Sequence, residues 1–230
     1  MLCTVSAAPM RAKPLHQSEM VSQMLFGEEA ELIRRKGGWL YVKSLYDGYK
    51  GWVNSRQLSD TTLELDITVA DPLCEAKRDG QSLWLPAGSL CRREWLTDQQ
   101  AARQTTGSSP YEVAKGFLGA PYLWGGRTLM GFDCSGLVQV VFKVCGKWLP
   151  RDAYQQAKCG NSIEFEERQP GQLAFFANQS GKIIHVGVVA PEGKIIHCAG
   201  SVHIDTLDSR GILNEETGTY SHRLHSIRAV

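Results

Sequence analysis

The chain has 230 residues, of which 43% are hydrophobic and 21% charged, a composition that is typical of a folded globular protein and excludes a disordered one. Its 25 Lys and Arg residues nearly balance 24 Asp and Glu residues, so the chain lacks the excess of basic residues that would attract nucleic acids or anionic lipids. No apolar run approaches the roughly 20 residues of a membrane-spanning helix. We therefore expect neither a nucleic-acid partner nor an integral membrane segment.

The 7 cysteines are spread along the chain without a C-x-x-C pair. An odd count with wide spacing favours free thiols over a disulfide framework or a zinc site. The amino terminus has no basic segment followed by an apolar stretch, as a signal peptide would. We expect a cytoplasmic monomer, or a periplasmic or cell-envelope protein if a leader has been trimmed from the chain.

Residues 1–60 have the pattern of a small all-β barrel. Short strands are predicted at residues 30–35, 39–45 and 51–53, with glycine at the reversals. The ordered motifs F-G-E, G-x-W-x-x-V and D-G-Y-x-G-W-V resemble the bacterial SH3-like domain. The resemblance implies a domain that, taken alone, is a cell-wall or peptide-binding accessory module.

Residues 61–105 are predicted to form a truncated second SH3-like unit or a strand-rich connector and linker. The segments L-E-L-D-I-T-V and S-L-W-L-P-A-G-S-L have strand and turn patterns. Residues 99–110 are polar, small and rich in Gly, Ser and Thr, which is typical of a linker. We therefore place the last domain at residues 106–230.

The last domain has an α+β pattern. Apolar residues recur at helical spacing after Asp133, which is a suitable N-cap residue, and Gly146 lies where a helix would end. Two K-I-I-H strands are joined by A-P-E-G, a turn sequence, so they are predicted to form a hairpin. The fold class is therefore a helix packed against an antiparallel sheet.

Three residues of this domain have the chemistry of a nucleophilic site. Cys134 opens the predicted helix, where the helix dipole favours ionisation of a thiol. His185 and His197 lie on the two hairpin strands, about 4.5–8 Å apart between Cβ atoms if paired. A nucleophile, a base and an orienting group are the parts of a catalytic triad.

Each of these residues has a structural alternative. A cysteine that opens a helix is usually a small buried hydrophobe, and a histidine in an apolar strand is more often a satisfied core residue. A zinc site at His185, His197 and Cys198 is disfavoured, because the spacing is wrong and Cys198 points to the opposite strand face from His197. We expect no metal and no cofactor.

The surrounding motifs occur in the order P-Y-L-W-G-G-R, F-D-C-S-G-L-V, L-P-R-D-A-Y-Q-Q, Q-P-G-Q-L-A-F-F, H-V-G-V-V and I-I-H. Over residues 111–230 this series closely resembles the NlpC-type family of bacterial cell-wall cysteine peptidases, which have a papain-like fold. The resemblance implies that Cys134 is the nucleophile, His185 the general base and His197 the orienting third member. It also implies that Tyr122 lies near the oxyanion, beside the backbone N–H of Cys134. The reaction would be amide hydrolysis through a thioester.

An SH3-like domain ahead of such a peptidase resembles the γ-D-glutamyl-L-diamino-acid endopeptidases. These enzymes trim muropeptide stems that bear a free N-terminal L-Ala. The resemblance implies that the substrate ammonium is held by Glu19, Tyr49 and Asp133. Two carboxylates and a phenol form a cation site that an acylated stem would not satisfy. Alternatively, Glu19 is a solvated surface acid, Tyr49 a barrel-core aromatic and Asp133 a helix cap.

The resemblance also implies residues that contact the rest of the substrate. Arg151 and Asp152 would line the γ-D-Glu pocket, where the guanidinium pairs with the α-carboxylate, and Trp124 is assigned to substrate binding as well. The family often has Ser where this chain has Ala153. A hydroxyl contact is therefore missing or is supplied by Ser135.

Two other functions remain open at this stage. The chain would be a non-catalytic wall-binding module if the last domain were only a scaffold, but the complete Cys/His/His set favours an enzyme. It would be a papain-like amidase or acyltransferase acting on lipid if it had an exposed apolar segment, and the sequence shows none. The function that the sequence favours is therefore hydrolysis of a γ-D-glutamyl-L-diamino acid bond in a muropeptide.

Overall fold

A computed structural model describes residues 1–103, 108–214 and 217–230, and the chain forms two compact units. The first unit comprises Met1–Thr106 and Leu123–Gly131, and the second comprises Gly107–Tyr122 and Phe132–Val230. The chain therefore leaves the second unit after Tyr122, contributes nine residues to the first unit and then returns.

The first unit is built mainly of short strands. A five-stranded antiparallel sheet has the order β3-β2-β6-β5-β4, and its core includes Met10, Met24, Leu40 and Val42. The strands of this unit are β1 (Leu2–Cys3), β2 (Ala7–Arg11), β3 (Met20–Leu25), β4 (Ala30–Lys36), β5 (Trp39–Ser44), β6 (Lys50–Asn54), β7 (Leu58–Ser59), β8 (Ile67–Thr68), β9 (Leu73–Arg78), β10 (Gln81–Pro86), β11 (Leu90–Cys91) and β12 (Arg127–Thr128), and β13 (Gly131–Phe132) leads into the second unit.

Strands β8–β11 form a second cluster within the first unit. β9 pairs with β10 and β8 with β11, both antiparallel, around a core that contains Leu85, Cys91 and Trp95. Phe26, which precedes these strands in the chain, belongs to the same core, so this core includes a side chain from the preceding segment. The first part of the predicted linker is helical and belongs to α1 (Asp98–Arg103). Linker residues 104–107 lie outside the described residues.

The second unit contains a seven-stranded antiparallel sheet in the order β14-β20-β15-β16-β17-β18-β19. Because β19 also pairs with β20, the strands from β15 to β20 close on themselves. The elements of this unit are α2 (Pro110–Lys115), α3 (Cys134–Val144), α4 (Ala153–Gln156), β14 (Asn161–Ile163), β15 (Leu173–Ala177), β16 (Ile183–Ala190), β17 (Lys194–Ala199), β18 (Ser201–Leu207), β19 (Gly211–Asn214) and β20 (Thr219–Ala229).

Helix α3 begins and ends where its sequence predicts. Asp133 is its N-cap and accepts a hydrogen bond from the backbone N–H of Gly136 at 2.7 Å. Gly146 follows the helix with a φ of +73°, a conformation that favours glycine. The helix is buried along its whole length and packs against β16 and β17. No helix within the described part of the chain is long and apolar enough to cross a membrane.

Candidate active site

The two histidines of the K-I-I-H strands are in direct contact. β16 and β17 form the predicted antiparallel hairpin, in which His197 lies opposite Gly187 and His185 lies diagonally across. Nε2 of His185 is 2.9 Å from Nδ1 of His197, and the two rings are nearly perpendicular. Both side chains are almost completely buried, so this hydrogen bond is shielded from water.

Gly187 provides the space for His197. A Cβ at position 187 would lie 2.9 Å from the Cβ of His197 and 2.7 Å from Cδ1 of Ile195. These distances are shorter than van der Waals contact, so any side chain at this position would displace His197. The glycine of the H-V-G-V-V motif therefore has a steric role in the histidine pair.

Cys134 is the first residue of α3, and its thiol lies beside the backbone of Val186, the residue that follows His185. The helix position favours the thiolate, and we expected a thiol that ionises readily. That prediction is wrong for the resting site. Burial and the neighbouring Asp133 carboxylate outweigh the backbone contacts and raise the pKa of Cys134 to about 11.

The histidines are also held in their neutral form. Burial, with His222 and His197 nearby, lowers the pKa of His185 well below its usual value. Burial likewise lowers the pKa of His197, although Asp205 opposes this shift. These shifts favour a neutral thiol and two neutral imidazoles at neutral pH, so a thiol that acted as a nucleophile would first have to lose its proton.

The sequence analysis missed three residues that surround this pair. Nε2 of His197 is 3.1 Å from Oδ2 of Asp205, and Nε2 of His203 is 3.2 Å from the same oxygen. His222 stacks on His185 with ring centroids 4.1 Å apart. The alternation V-H-I-D in β18 was the available signal, since it puts His203 and Asp205 on one strand face.

Tyr122 belongs to the second unit with Cys134 and keeps its hydroxyl proton at neutral pH. Burial, and the nearby Cys134 and Asp133, raise the pKa of Tyr122 to about 12. Its backbone N–H donates to the carbonyl of Gly200 at 2.8 Å. The backbone of Tyr122 is therefore held by Gly200, and the role of its phenol near an oxyanion stays a prediction.

Asp133 and Arg151 form a buried, bidentate ion pair. The guanidinium donates to Oδ1 at 2.9 Å and to Oδ2 at 2.5 Å, and also to Oγ of Ser135 at 2.9 Å. The same Oδ1 caps α3 and lies 3.3 Å from Oγ of Ser135. Three residues predicted to bind substrate thus bond to one another next to Cys134. Their roles toward substrate stay predictions.

The residues that follow Arg151 begin helix α4. Asp152 is its N-cap residue, and its backbone N–H lies 3.3 Å from Oε1 of Gln155. Ala153 is the first residue of the helix. Asp152 is half-buried, and its part in a substrate pocket stays a prediction.

The other predicted substrate residues belong to the first unit. Glu19 is exposed, and its Oε1 accepts a hydrogen bond from Nε1 of Trp124 at 2.7 Å. The Trp124 ring is 60% exposed, an unusual position for an indole. Tyr49 is half-buried and immediately precedes β6, and its carbonyl accepts a hydrogen bond from the backbone N–H of Ser44.

The motif W-G-G-R is anchored in the first unit by its last residue. Arg127 is 1% exposed and donates to both carboxylate oxygens of Glu28, at 2.9 and 2.8 Å. Gly125 has a φ of +76°, and a Cβ there would lie 2.5 Å from the carbonyl oxygen of Met20. The motif therefore combines a structural ion pair with the exposed Trp124.

Comparisons with known proteins find one family match in each half of the chain. Residues 119–220 match the NlpC/P60 family, and residues 10–58 match the bacterial dipeptidyl-peptidase Sh3 domain. The first match contains Cys134 and both histidines, and the second contains Glu19 and Tyr49.

Two curated relatives match most of the chain. The γ-D-glutamyl-L-lysine dipeptidyl-peptidase of Bacillus subtilis is 31% identical over an alignment of 210 positions, which covers 76% of this chain and 71% of the relative. The protein of the same name from Bacillus cereus is 28% identical over 87% of this chain and 74% of its own. The crystal structure of an NlpC/P60 family protein from B. cereus superimposes with a TM-score of 0.82 and 23% identity, covering 99% of this chain and 98% of that one.

Proposed function

The chain belongs to the NlpC/P60 family, and we propose that it is a cysteine peptidase that cleaves the γ-D-glutamyl-L-diamino acid bond of peptidoglycan stem peptides with a free N-terminal L-Ala. The observation that carries this proposal is the buried hydrogen bond between His185 and His197. His185 lies on β16, and the backbone of the next residue, Val186, contacts the thiol of Cys134. Cys134, His185 and His197 would then act as nucleophile, base and orienting group, as the members of other triads do.

The proposed reaction begins with proton transfer from the neutral thiol to His185. Nε2 of His185 is bonded to His197, so Nδ1 is the nitrogen that accepts this proton. Sγ of Cys134 attacks the carbonyl carbon, and the oxyanion accepts hydrogen bonds from the Tyr122 hydroxyl and the backbone N–H of Cys134. The C–N bond then breaks, and the leaving amine takes the proton from His185. A water molecule hydrolyses the thioester by the reverse sequence.

His197 and Asp205 act on His185 rather than on the substrate. For Nδ1 of His185 to be an acceptor, its Nε2–H must donate to Nδ1 of His197. His197 then carries its own proton on Nε2 and donates it to the Asp205 carboxylate. This chain of donors fixes one tautomer of His185 and stabilises the imidazolium that forms during attack.

The substrate proposal rests on the names of the relatives and on the cation-binding residues predicted from the sequence. An enzyme that requires a free N-terminal L-Ala and cuts after γ-D-Glu releases a dipeptide, which agrees with the name dipeptidyl-peptidase that the two Bacillus relatives bear. The residues predicted from the sequence to bind the ammonium are Glu19, Tyr49 and Asp133, and the Asp133 carboxylate is paired with Arg151.

The decisive experiment is to incubate the protein with L-Ala-γ-D-Glu-L-Lys and with its N-acetylated form and to identify the products by mass. We expect free L-Lys and L-Ala-γ-D-Glu from the first peptide only. Cys134→Ser should abolish cleavage, whereas Cys145→Ser, a matched change at a thiol on the far end of α3, should not. Cleavage by Cys134→Ser would refute the assignment of the nucleophile.

The alternative of a non-catalytic wall-binding module makes a different prediction. Such a protein would bind both peptides and cleave neither. Binding without turnover by the wild-type chain, at a stoichiometry unaffected by Cys134→Ser, would replace the peptidase with this second function.

A further inference from the structure

The side of His197 that faces away from His185 has three metal-binding groups in one cluster. Nε2 of His197 and Nε2 of His203 lie 3.1 and 3.2 Å from Oδ2 of Asp205. The potential ligand atoms of the three residues all lie within 4.8 Å of one another. Two imidazoles and a carboxylate are a ligand set typical of zinc.

The separations between each histidine nitrogen and the Asp205 oxygen are close to those around a tetrahedral ion. Zinc binds nitrogen and carboxylate oxygen at about 2.0–2.2 Å, so its ligand atoms are about 3.3–3.5 Å apart. The two separations in the cluster are only a few tenths of an ångström shorter than this. A small outward movement of the Asp205 carboxylate would admit the ion, with water as a fourth ligand.

The hydrogen bonding of His203 also points to a cation. Nδ1 of His203 lies 2.8 Å from the carbonyl oxygen of Ser201 and so must carry a proton. In the neutral ring the lone pair of Nε2 then faces a carboxylate oxygen at 3.2 Å, and two acceptors at this distance repel each other unless a positive charge lies between them. A backbone carbonyl that fixes the tautomer is a common partner of a metal-binding histidine.

Solvent reaches the cluster without passing Cys134. His203 and Asp205 line an open cavity of about 500 Å³ together with Lys194 and Asn214. The side chains of His203 and Asp205 are 36% and 19% exposed, whereas that of His197 is 1% exposed. An ion can therefore enter from the outer side and meet the buried His197 last.

We propose that a zinc ion binds His197, His203 and Asp205 and inhibits the peptidase by reversing the tautomers of the histidine pair. This inference rests on the proposed function. Zinc binds Nε2 of His197 and displaces the proton from it. His197 then takes the Nε2 proton of His185 onto its own Nδ1. Nδ1 of His185 binds a proton in place of the displaced one, so neither ring changes its net charge. Nδ1 of His185 then carries a proton and cannot accept the one on the thiol.

The metal site is tested directly with Co²⁺, whose visible absorption reports tetrahedral ligation. The full-length Cys134→Ala variant is used, so that the catalytic thiol cannot bind the ion. We expect tetrahedral Co²⁺ bands that Zn²⁺ displaces, and their loss when His203→Gln is added to the same chain. The matched control is His225→Gln, the same change at an exposed histidine on β20, which should leave the bands intact. Bands that survive His203→Gln would overturn the proposal.

Inhibition is measured on the hydrolysis of L-Ala-γ-D-Glu-L-Lys by the protein with Cys134 intact. We expect Zn²⁺ to inhibit, and His203→Gln to raise the inhibitory concentration at least about tenfold, with the inhibition of each protein measured relative to its own metal-free rate. Equal inhibition of both proteins would place the ion on Cys134 and His185 and refute the inference. A chain that binds Co²⁺ as expected but cleaves no peptide would instead refute the proposed function.

Discussion

Nε2 of His197 lies 3.1 Å from Oδ2 of Asp205, while Nδ1 of the same ring lies 2.9 Å from Nε2 of His185. His197 therefore links a carboxylate to His185, the proposed general base. Asp205 adds a fourth residue to the triad predicted from the sequence, and its carboxylate determines which nitrogen of His197 carries the proton.

Asp205→Asn should lower kcat and leave KM nearly unchanged. The amide can keep a hydrogen bond to His197 but removes the charge that favours one tautomer and stabilises the imidazolium. We expect a loss of about ten- to a hundredfold in kcat for the hydrolysis of L-Ala-γ-D-Glu-L-Lys. Asp208→Asn, an acid near the end of the same strand that bonds to Tyr220, is the control. An Asp205→Asn enzyme with full kcat would restrict the catalytic chain to the two histidines.

The pH dependence should reflect a neutral thiol and a neutral base. The lowered pKa of His185 keeps it able to accept a proton down to pH values below 6.5, and the pKa of Cys134 near 11 keeps the thiol protonated up to strongly alkaline pH. We therefore expect kcat/KM to be level across neutrality and to fall only in acid, as His185 becomes protonated.

Alkylation of Cys134 distinguishes this state from a preformed thiolate–imidazolium pair. The rate of reaction with iodoacetamide should increase with pH through the neutral range, because the thiolate is the reactive form. The Cys134→Ala variant gives the contribution of the other thiols. A rate that is already maximal at pH 6 would show that the thiolate exists at rest.

Gly187→Ala should disable the site although it changes no polar group. The added Cβ would lie 2.9 Å from that of His197, and the strands cannot separate without breaking their ladder. We expect at least about a hundredfold loss of kcat, because small errors in the position of a catalytic group cost this much. Gly181→Ala, at the turn that precedes β16, has open space around its Cβ and controls for the substitution, although its φ of +78° adds backbone strain. Wild-type activity in Gly187→Ala would show that the pair tolerates displacement.

The sequence could identify the parts of the site that depend on local pattern. Cys134 opens a helix whose cap and end are visible, and His185 and His197 lie on strands joined by a recognisable turn. Asp205 and His203 could not be found in this way, because V-H-I-D resembles any alternating strand. Only the pairing of β17 with β18 brings them to His197.

The electrostatics of the site were also beyond the sequence. The position of Cys134 on α3 is a local property and predicts a lowered pKa, but the burial that raises it depends on the packing of α3 against β16 and β17. Arg151 is a similar case. Its motif suggested a substrate ligand, whereas its partner Asp133 lies 18 residues away in the chain and is visible only in the fold.

Arg127→Leu should destabilise the first unit strongly. The substitution leaves Glu28, which is 2% exposed, as a buried charge without its partner. Breaking a buried ion pair in this way costs about 3–5 kcal/mol of the free energy of unfolding. Chemical denaturation followed by tryptophan fluorescence measures this loss.

Arg103→Leu is the control for the Arg127 prediction, because its pair with Asp71 is partly exposed to solvent and should contribute about 0–1 kcal/mol. The double variant Arg127→Leu/Glu28→Leu should recover part of the loss, since it removes both charges. Equal stability of Arg127→Leu and Arg103→Leu would mean that the buried pair contributes no more than an exposed one.

The last prediction concerns the free amine of the substrate. If Glu19 and Tyr49 bind the ammonium, Glu19→Gln and Tyr49→Phe should each weaken cleavage of L-Ala-γ-D-Glu-L-Lys. A hydrogen bond to a charged group contributes about 1.5–3 kcal/mol, so kcat/KM should fall about 10- to 150-fold. N-acetylation of the peptide should cost at least as much, because it removes the charge and adds bulk.

Trp124 separates binding of the amine by Glu19 from a general effect of charge. Trp124→Phe keeps an exposed ring but removes the N–H that holds the Glu19 carboxylate at 2.7 Å, so we expect a smaller loss than for Glu19→Gln and the same preference for the free amine. Glu31→Gln, the same change at an exposed acid on β4, should leave kcat/KM unaltered. In Glu19→Gln the acetylated and free peptides should become more nearly equal as substrates, since the mutation and the acetyl group remove the two halves of one contact. Equal turnover of free and acetylated peptide by the wild-type protein would contradict recognition of the amine altogether, and would leave Glu19 as a surface acid whose partner is Trp124.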